Sequence, residues 1–313
     1  MLGVLVRLVV AIVTRLPWRA NALLGGALGW LAGSVLRIRR RPVVAAMRRA
    51  GITDAGAEAS AMYRGLGTGI FELFWLAGAA PARRERTLRQ HVVLDDDLAR
   101  AILGARARGP LVLAASHTAN WELIAFGAAQ TLAPCGARLA IVAKPISVAV
   151  FHAFCTKLRT ACGLALIAPA GALAEARRHL QAGDVVAMPI DQVPDRAHHG
   201  VSVSFLGAAA LADRAPAALA RSLHATVIVV GASRDHGTHR AHLLAELHAD
   251  GPASSGVPAT TREATRLLEA FVRANPSSWL WLHRRWRAPL ELRAERPSPP
   301  AEPARLVATG HPG

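Results

Sequence analysis

From residue 90 onward the chain alternates between two kinds of segment, and this alternation constrains its fold more than any other feature. Short apolar runs stand at 111–115 (LVLAA), 138–143 (RLAIVA), 164–167 (LALI), 185–190 (VVAMPI) and 226–232 (TVIVVGA). Runs this short and this rich in Val, Ile and Leu read as strands buried on both faces. Between them, residues 120–131, 147–161, 171–181 and 212–223 read as helices. Strands separated by helices of this length pack as an α/β layered fold, a largely parallel sheet flanked by helices. A more polar strand at 238–247 suits a sheet edge, and a last helix at 260–274 precedes the block PSSWLWLHRRWR. No internal repeat and no clear linker interrupts 46–290, which reads as one domain.

The first 45 residues have a different character. Residues 1–16 are apolar apart from Arg7 and Arg15, and 20–36 (ANALLGGALGWLAGSVL) carry no charge. A stretch of that length sits at the lower limit of a bilayer span, about 17 to 25 residues. No small-residue cleavage site follows, so an ordinary signal peptide does not fit. Arg37, Arg39, Arg40 and Arg41 come next and would keep the C-terminal side in the cytoplasm. Gly25, Gly29 and Gly33 recur every fourth position, a spacing that lets another helix approach closely. The segment 1–45 therefore reads as a membrane anchor, either spanning or lying on the surface as an amphipathic helix pair. Residues 46–80 continue with helical period, and an aromatic face there suits core or lipid. The proline-rich end, 291–313, reads as disordered.

The chain has 313 residues, 52% of them hydrophobic, and a formal net charge of +16. Such a balance favours an acidic partner: nucleic acid, an anionic membrane, a phosphorylated lipid or an acidic carrier protein. The Ala, Arg and Gly bias also fits a GC-rich genome, which raises charge without a functional reason. No helix-turn-helix, zinc or RNA-binding motif supports nucleic acid. Cys135, Cys155 and Cys162 form no CxxC pair, which argues against a disulfide framework and a zinc site. G-x-S-x-G, GxxxxGK and GxGxxG loops are missing from the sequence, which disfavours the commonest hydrolase and nucleotide readings.

A histidine followed after four residues by an acid occurs three times: His91 with Asp96, His117 with Glu122, and His179 with Asp184. Context separates them. His179 lies at a helix end and suits charge pairing there. His91 leads into the solvated cluster Asp95, Asp96 and Asp97. His117 leaves a buried strand at its carboxyl end, where open α/β sheets place ligand crevices. Thr118 or Asn120 suits a cap for the following helix, and Glu122 falls in its first turn, within reach of the imidazole. A carboxylate on one ring nitrogen leaves the other free as a base; the alternative is a structural histidine.

The stretch SHTANWEL resembles the His-x4-Asp/Glu signature of the glycerolipid acyltransferase superfamily, and more narrowly the late acyltransferases of bacterial lipid A biosynthesis, with their H-x-x-N-W-E. Three further blocks are similar to that narrower family in the same order: 144–163, with Arg159 and Gly163; VVAMPIDQ (185–192) followed by GVSVSFLG (200–207); and WLWLHRRWR (279–287). The resemblance runs over about residues 5 to 290. It implies an enzyme that moves a fatty acyl chain from an acyl carrier protein thioester to a hydroxyl of a lipid A precursor, at the cytoplasmic side of the inner membrane, with no metal or organic cofactor.

By the resemblance His117 is the general base, Glu122 orients it, and Arg159 steadies the oxyanion or grips an acceptor phosphate. Asn120, Lys144, Asp191, Gln192, His283, Arg284 and Arg285 are the expected substrate contacts. Asp191 and Gln192 also suit a structural loop anchor, and the tryptophan-rich closing block suits core as well as a membrane interface. Departures concern the acceptor: Lys144 stands where the family commonly has arginine, losing a bidentate contact, Ser147 replaces a frequent asparagine, and AAALADRAPAALA follows residue 207. Another lipid acceptor, such as a glycosylated phosphoinositide, an ornithine lipid or a lysophospholipid, is the nearest alternative. A non-catalytic basic protein binding membrane or nucleic acid is the alternative from a different class.

Overall fold

A computed structural model describes residues 2–249 and 256–287. The proline-rich tail, 291–313, lies outside the described residues.

Five helices come first: α1 (Leu2–Val13), α2 (Ala20–Trp30), α3 (Arg40–Arg49), α4 (Ala55–Gly78) and α5 (Pro81–His91). A π-helical turn, Leu31–Val35, extends α2. Among the described residues, no single helix is long and apolar enough to cross a membrane; α2 with its turn passes that test only jointly with α3, across a bend of 87°. Arg37 and Arg39, with φ of 52° and 53°, make the break. The glycine spacing has a partner within the chain. A Cβ at Gly25 would lie 2.2 Å from the Thr68 Cα, and one at Gly29 would lie 2.1 Å from the Tyr63 carbonyl oxygen. The glycines thus let the α2 backbone lie directly on α4.

The remaining elements are β1 (Val92–Leu94), α6 (Asp96–Arg108), β2 (Leu111–Ala115), α7 (Trp121–Leu132), β3 (Leu139–Val142), α8 (Ala149–Ala161), β4 (Leu164–Ile167), α9 (Ala172–Gln181), β5 (Val185–Pro189), β6 (Gly200–Phe205), β7 (Ala208–Asp213), α10 (Ala215–Leu223), β8 (Thr226–Asp235), β9 (Thr238–His248) and α11 (Gly256–Ala274). Seven strands form one sheet in the order β1-β9-β8-β2-β5-β3-β4, and β6 with β7 forms a separate antiparallel hairpin. Every pairing in the large sheet is parallel except β8 with β9. The α/β reading, with a largely parallel sheet between helices, describes this architecture.

Alternate residues of the central strands serve two cores. Val112, Ala114, Val186, Met188, Val227 and Val229 pack on one face, while Leu111, Leu113, Val185, Ile228 and Val230 pack on the other. This is why those strands read as continuous apolar runs. Three expectations need correction. The strand at 238–247 is not an edge, because β1 pairs along its outer side. The helix placed at 212–223 starts at Ala215. Asp213 closes β7 instead, and its carboxylate accepts the Ala215 amide at 2.9 Å. The last helix is longer than 260–274, beginning at Gly256.

Candidate active site

The parallel register of β2 and β5 builds the site. Leu111 pairs with Val185 and, in step, Ala115 with Pro189. Two residues beyond each strand, the same register brings His117 opposite Asp191. The His117 amide donates to Asp191 Oδ2 at 2.8 Å, and His117 Nδ1 meets Asp191 Oδ1 at 2.9 Å. Trp279 Nε1 also donates to Asp191 Oδ2, at 2.9 Å. Asp191 is 0% exposed, so these donors replace its hydration.

A carboxylate can only accept from an imidazole N–H, so Nδ1 carries the proton and Nε2 keeps its lone pair. Gln192 Nε2 lies 3.3 Å from that nitrogen, in position to donate to it. Burial alone would lower the His117 pKa, but the charge and hydrogen bond of Asp191 outweigh it, and the net shift is upward. Burial likewise works against the Asp191 carboxylate, and His117 overcomes it, holding the carboxyl well below its usual range. His283 packs edge-on against His117, ring centres 4.7 Å apart. Burial, with the neighbouring His117 charge, pulls its pKa down to about 4, so it is a neutral imidazole at pH 7. Its Nε2 is buried without a hydrogen-bond partner.

The loop between β2 and α7 is held from outside. Ala119 has φ of 50°, a left-handed conformation unusual for alanine. Its amide donates to the Ser278 carbonyl at 2.7 Å, and the Leu280 amide donates to the His117 carbonyl at 3.0 Å. Thr118 Oγ1 accepts the Ala232 amide at 2.9 Å. The closing segment therefore clamps the loop that carries His117 and offers Trp279 to Asp191. Trp279 and Trp281 are buried. Of the two readings open for this block, core is the one that describes them.

Glu122 does not fold back onto the imidazole. Both its oxygens go to Arg159, one to Nε at 2.9 Å and the other to Nη2. The physical reason is direction: α7 begins at Trp121 and turns the Glu122 side chain toward α8, which carries Arg159, while Asp191 already fills Nδ1. Arg159 therefore presents a charge balanced by Glu122 rather than a bare guanidinium. Asn120 occupies the position before α7, but its side chain makes no cap. It donates instead to Glu72 Oε2 at 3.0 Å. Lys144 is exposed and pairs with Asp195 at 3.1 Å, on the loop after Asp191. Arg284 is exposed, whereas Arg285 is 1% exposed, donates to the Leu211 carbonyl and lies over the Phe205 ring. Burial lowers the Arg285 pKa to about 10. The structure thus gathers His117, Asp191, Gln192 and His283, sets Glu122 and Arg159 beside them as a pair, and turns Asn120, Lys144 and Arg285 to other partners.

One group escaped the sequence reading. Glu72, 0% exposed on α4, binds His239 Nε2 at 2.9 Å through Oε2 and Arg234 Nη2 at 2.5 Å through Oε1. The signal available was a single acid inside the apolar helix MYRGLGTGIFELFWLAGA. His117, Asp191 and His283 also offer ligand atoms within 4.8 Å of one another. The Asp191 oxygens, however, are already taken by His117 and Trp279, and His283 joins the set by ring packing alone.

A narrow apolar cavity of about 60 Å³ adjoins the loop, lined by Ser116, Thr118 and Trp121 together with Leu98, Ile102, Ala125 and Ala128 of α6 and α7. The two chain neighbours of His117, Ser116 and Thr118, thus line a slot that suits hydrocarbon. A search of curated proteins finds no match. A family model described as bacterial lipid A biosynthesis acyltransferase matches residues 1–288. The chain belongs to the bacterial lipid A biosynthesis acyltransferase family.

Proposed function

We propose that this acyltransferase moves a fatty acyl chain from an acyl carrier protein thioester to a hydroxyl of a lipid A precursor, working on the cytoplasmic face of the inner membrane. The observation that carries the reading is His117, with Nδ1 fixed by Asp191 and Nε2 left as the basic nitrogen facing Gln192. Nε2 takes the proton of the acceptor hydroxyl as its oxygen attacks the thioester carbonyl. The resulting imidazolium is stabilised by Asp191 across the 2.9 Å contact. When the C–S bond breaks, the thiolate takes that proton, leaving a free thiol and a new ester. The Gln192 amide and the neutral His283 stand next to Nε2 and are the donors best placed for the carbonyl oxygen. Glu122 and Arg159 act as a positioning pair that holds α7 to α8.

The slot between the sheet and α6–α7 receives the start of the acyl chain. The net charge of +16 favours an acidic carrier protein. Leu5, Leu8, Leu23, Leu28, Trp30, Leu31 and Leu36 are exposed on α1, α2 and its turn. Apolar surface of that extent on a soluble face is unusual, and it suits helices lying in a membrane interface, with Arg37, Arg39 and Arg41 near anionic headgroups. The test is acyl transfer in vitro from acylated carrier protein to a lipid A precursor, with product mass read by mass spectrometry. A product heavier by one acyl group, absent with His117→Ala, supports the reading. Acylation of a lysophospholipid or an ornithine lipid in preference would replace the acceptor, and equal turnover by His117→Ala would overturn the mechanism.

A further inference from the structure

Against the Ala119–Trp121 loop lies a second chamber, of about 450 Å³, which shares Trp121 with the apolar slot. Its lining includes Asn120, Trp121 and Trp279 of the clamped loop and closing segment but none of His117, Asp191, Gln192 or His283. Ala22 and Gly26 of α2 and Gly65 and Leu66 of α4 give it small apolar lining, and Arg64 of α4, Arg234, His239, Ser277 and Ser278 give it polar and basic lining. The wall from α2 is continuous with the exposed Leu23, Leu24 and Trp30. The chamber is therefore amphipathic, lined by both apolar and basic groups.

The charges do not balance within it. Glu72 lies behind the wall and is shared between Arg234 and His239. Arg64 is exposed, and no carboxylate among the described residues pairs with it. His239 is 1% exposed; with Nε2 on Glu72, its Nδ1 is buried and has no partner. With its Nε2–H donated to Glu72, the ring keeps a lone pair on Nδ1, which accepts a hydrogen bond, as from the hydroxyl of a singly protonated phosphomonoester. Two guanidinium groups and two hydroxyls offer more donors than a carboxylate's two oxygens need, and they suit the oxygens of a phosphomonoester. The volume is that of a small-molecule site and exceeds what a bare phosphate fills.

We infer that this chamber binds the phosphomonoester headgroup of a lipid, anchoring the acceptor while its hydroxyl reaches His117 at the start of the same loop. The inference rests on the lipid-acceptor reading for its purpose, but its test does not depend on turnover. Two variants probe it without disturbing the site. Arg64→Gln removes one exposed cation. Gly65→Leu fills the chamber, because a Cβ at Gly65 meets nothing within 4 Å, and leucine suits a helix better than glycine.

The experiment is calorimetric titration of the full chain in detergent with dihexanoyl phosphatidic acid, inorganic phosphate and dihexanoyl phosphatidylcholine. Melting curves verify that each variant is folded. Phosphatidic acid should bind the wild type and His117→Ala alike. Arg64→Gln should weaken it roughly tenfold to a hundredfold, the loss expected for one charged hydrogen-bonding partner, and Gly65→Leu should abolish it. Phosphatidylcholine should bind far more weakly. Binding of inorganic phosphate as tight as that of phosphatidic acid would overturn the lipid assignment, and unchanged phosphatidic acid binding in both folded variants would overturn the site. Loss of acyl transfer in His117→Ala is scored separately, so failure of the chamber and failure of the reaction are distinguishable.

Discussion

His117 and His179 each stand five residues before an acid, yet they are built differently. His179 lies in the last turn of α9, and Gly183, with φ of 86°, folds the chain back so that Asp184 meets His179 Nδ1 at 2.7 Å. Arg138 holds the same carboxylate at 2.9 Å. This pair sits at the entry of β5, the end of the sheet away from the crevice. His117 leaves β2 at the opposite end, where the chain winds into α7 and carries Glu122 away to Arg159. Its carboxylate comes from the neighbouring strand. A short spacing closes on itself only when a turn returns the chain; a histidine at a strand exit takes its partner from across the sheet.

The largest effects should fall on one side of this comparison. His117→Ala and Asp191→Asn should each lower acyl transfer by about 10²–10⁴-fold, the scale of a positioned general base, while His179→Ala should leave turnover unchanged. Steady-state kinetics on the three variants checks this. Equal losses at His179 would erase the distinction between the two pairs.

Next comes Glu122. Removing it strands the largely buried Arg159, so Glu122→Gln should cost about 3 kcal/mol or more of stability. The double variant Glu122→Gln/Arg159→Met should regain most of that loss in a denaturant melt. A single variant as stable as the wild type would show that the pair does not hold α7 to α8.

Turnover should also depend on pH with a definite sign. The base must be neutral, and Asp191 raises the His117 pKa above the ordinary imidazole value. The rate per encounter should therefore fall as pH drops through that raised value. In Asp191→Asn the residual activity should show the same limb moved to lower pH.

The smallest effect belongs to the other pair. His179 and Arg138 overcome the burial of Asp184 and hold its carboxyl below its usual range. Its stabilisation is present above the ordinary carboxylate pKa and lost as pH falls. Asp184→Asn should lower stability by about 1 kcal/mol at neutral pH, visible in a melt and without change in rate.

The parts of this molecule legible in the sequence are those decided by local pattern. β2, β5 and β8 are buried on both faces, so they read as apolar runs, and His117 was findable because it ends one of them. β7 was missed because AAALAD has none of the β-branched or aromatic residues that mark strands. β1 is only three residues long and takes its partner from β9. The glycine spacing of α2 was legible as a close contact, but its partner, α4, was not. Asp191 was legible as a residue at a strand's carboxyl end; its bond to His117 depends on the register of β2 against β5, which no local pattern encodes. The same holds for Trp279, whose indole reaches Asp191 from the far end of the chain.

The central claim is that the working carboxylate is Asp191 and that Glu122 acts through Arg159. Turnover of Asp191→Asn set beside that of Glu122→Gln/Arg159→Met, both folded, tests it most directly. The account predicts a loss of at least about 10²-fold for Asp191→Asn and a much smaller loss for the double variant. Wild-type turnover by Asp191→Asn, with the double variant as inactive as His117→Ala, would contradict it.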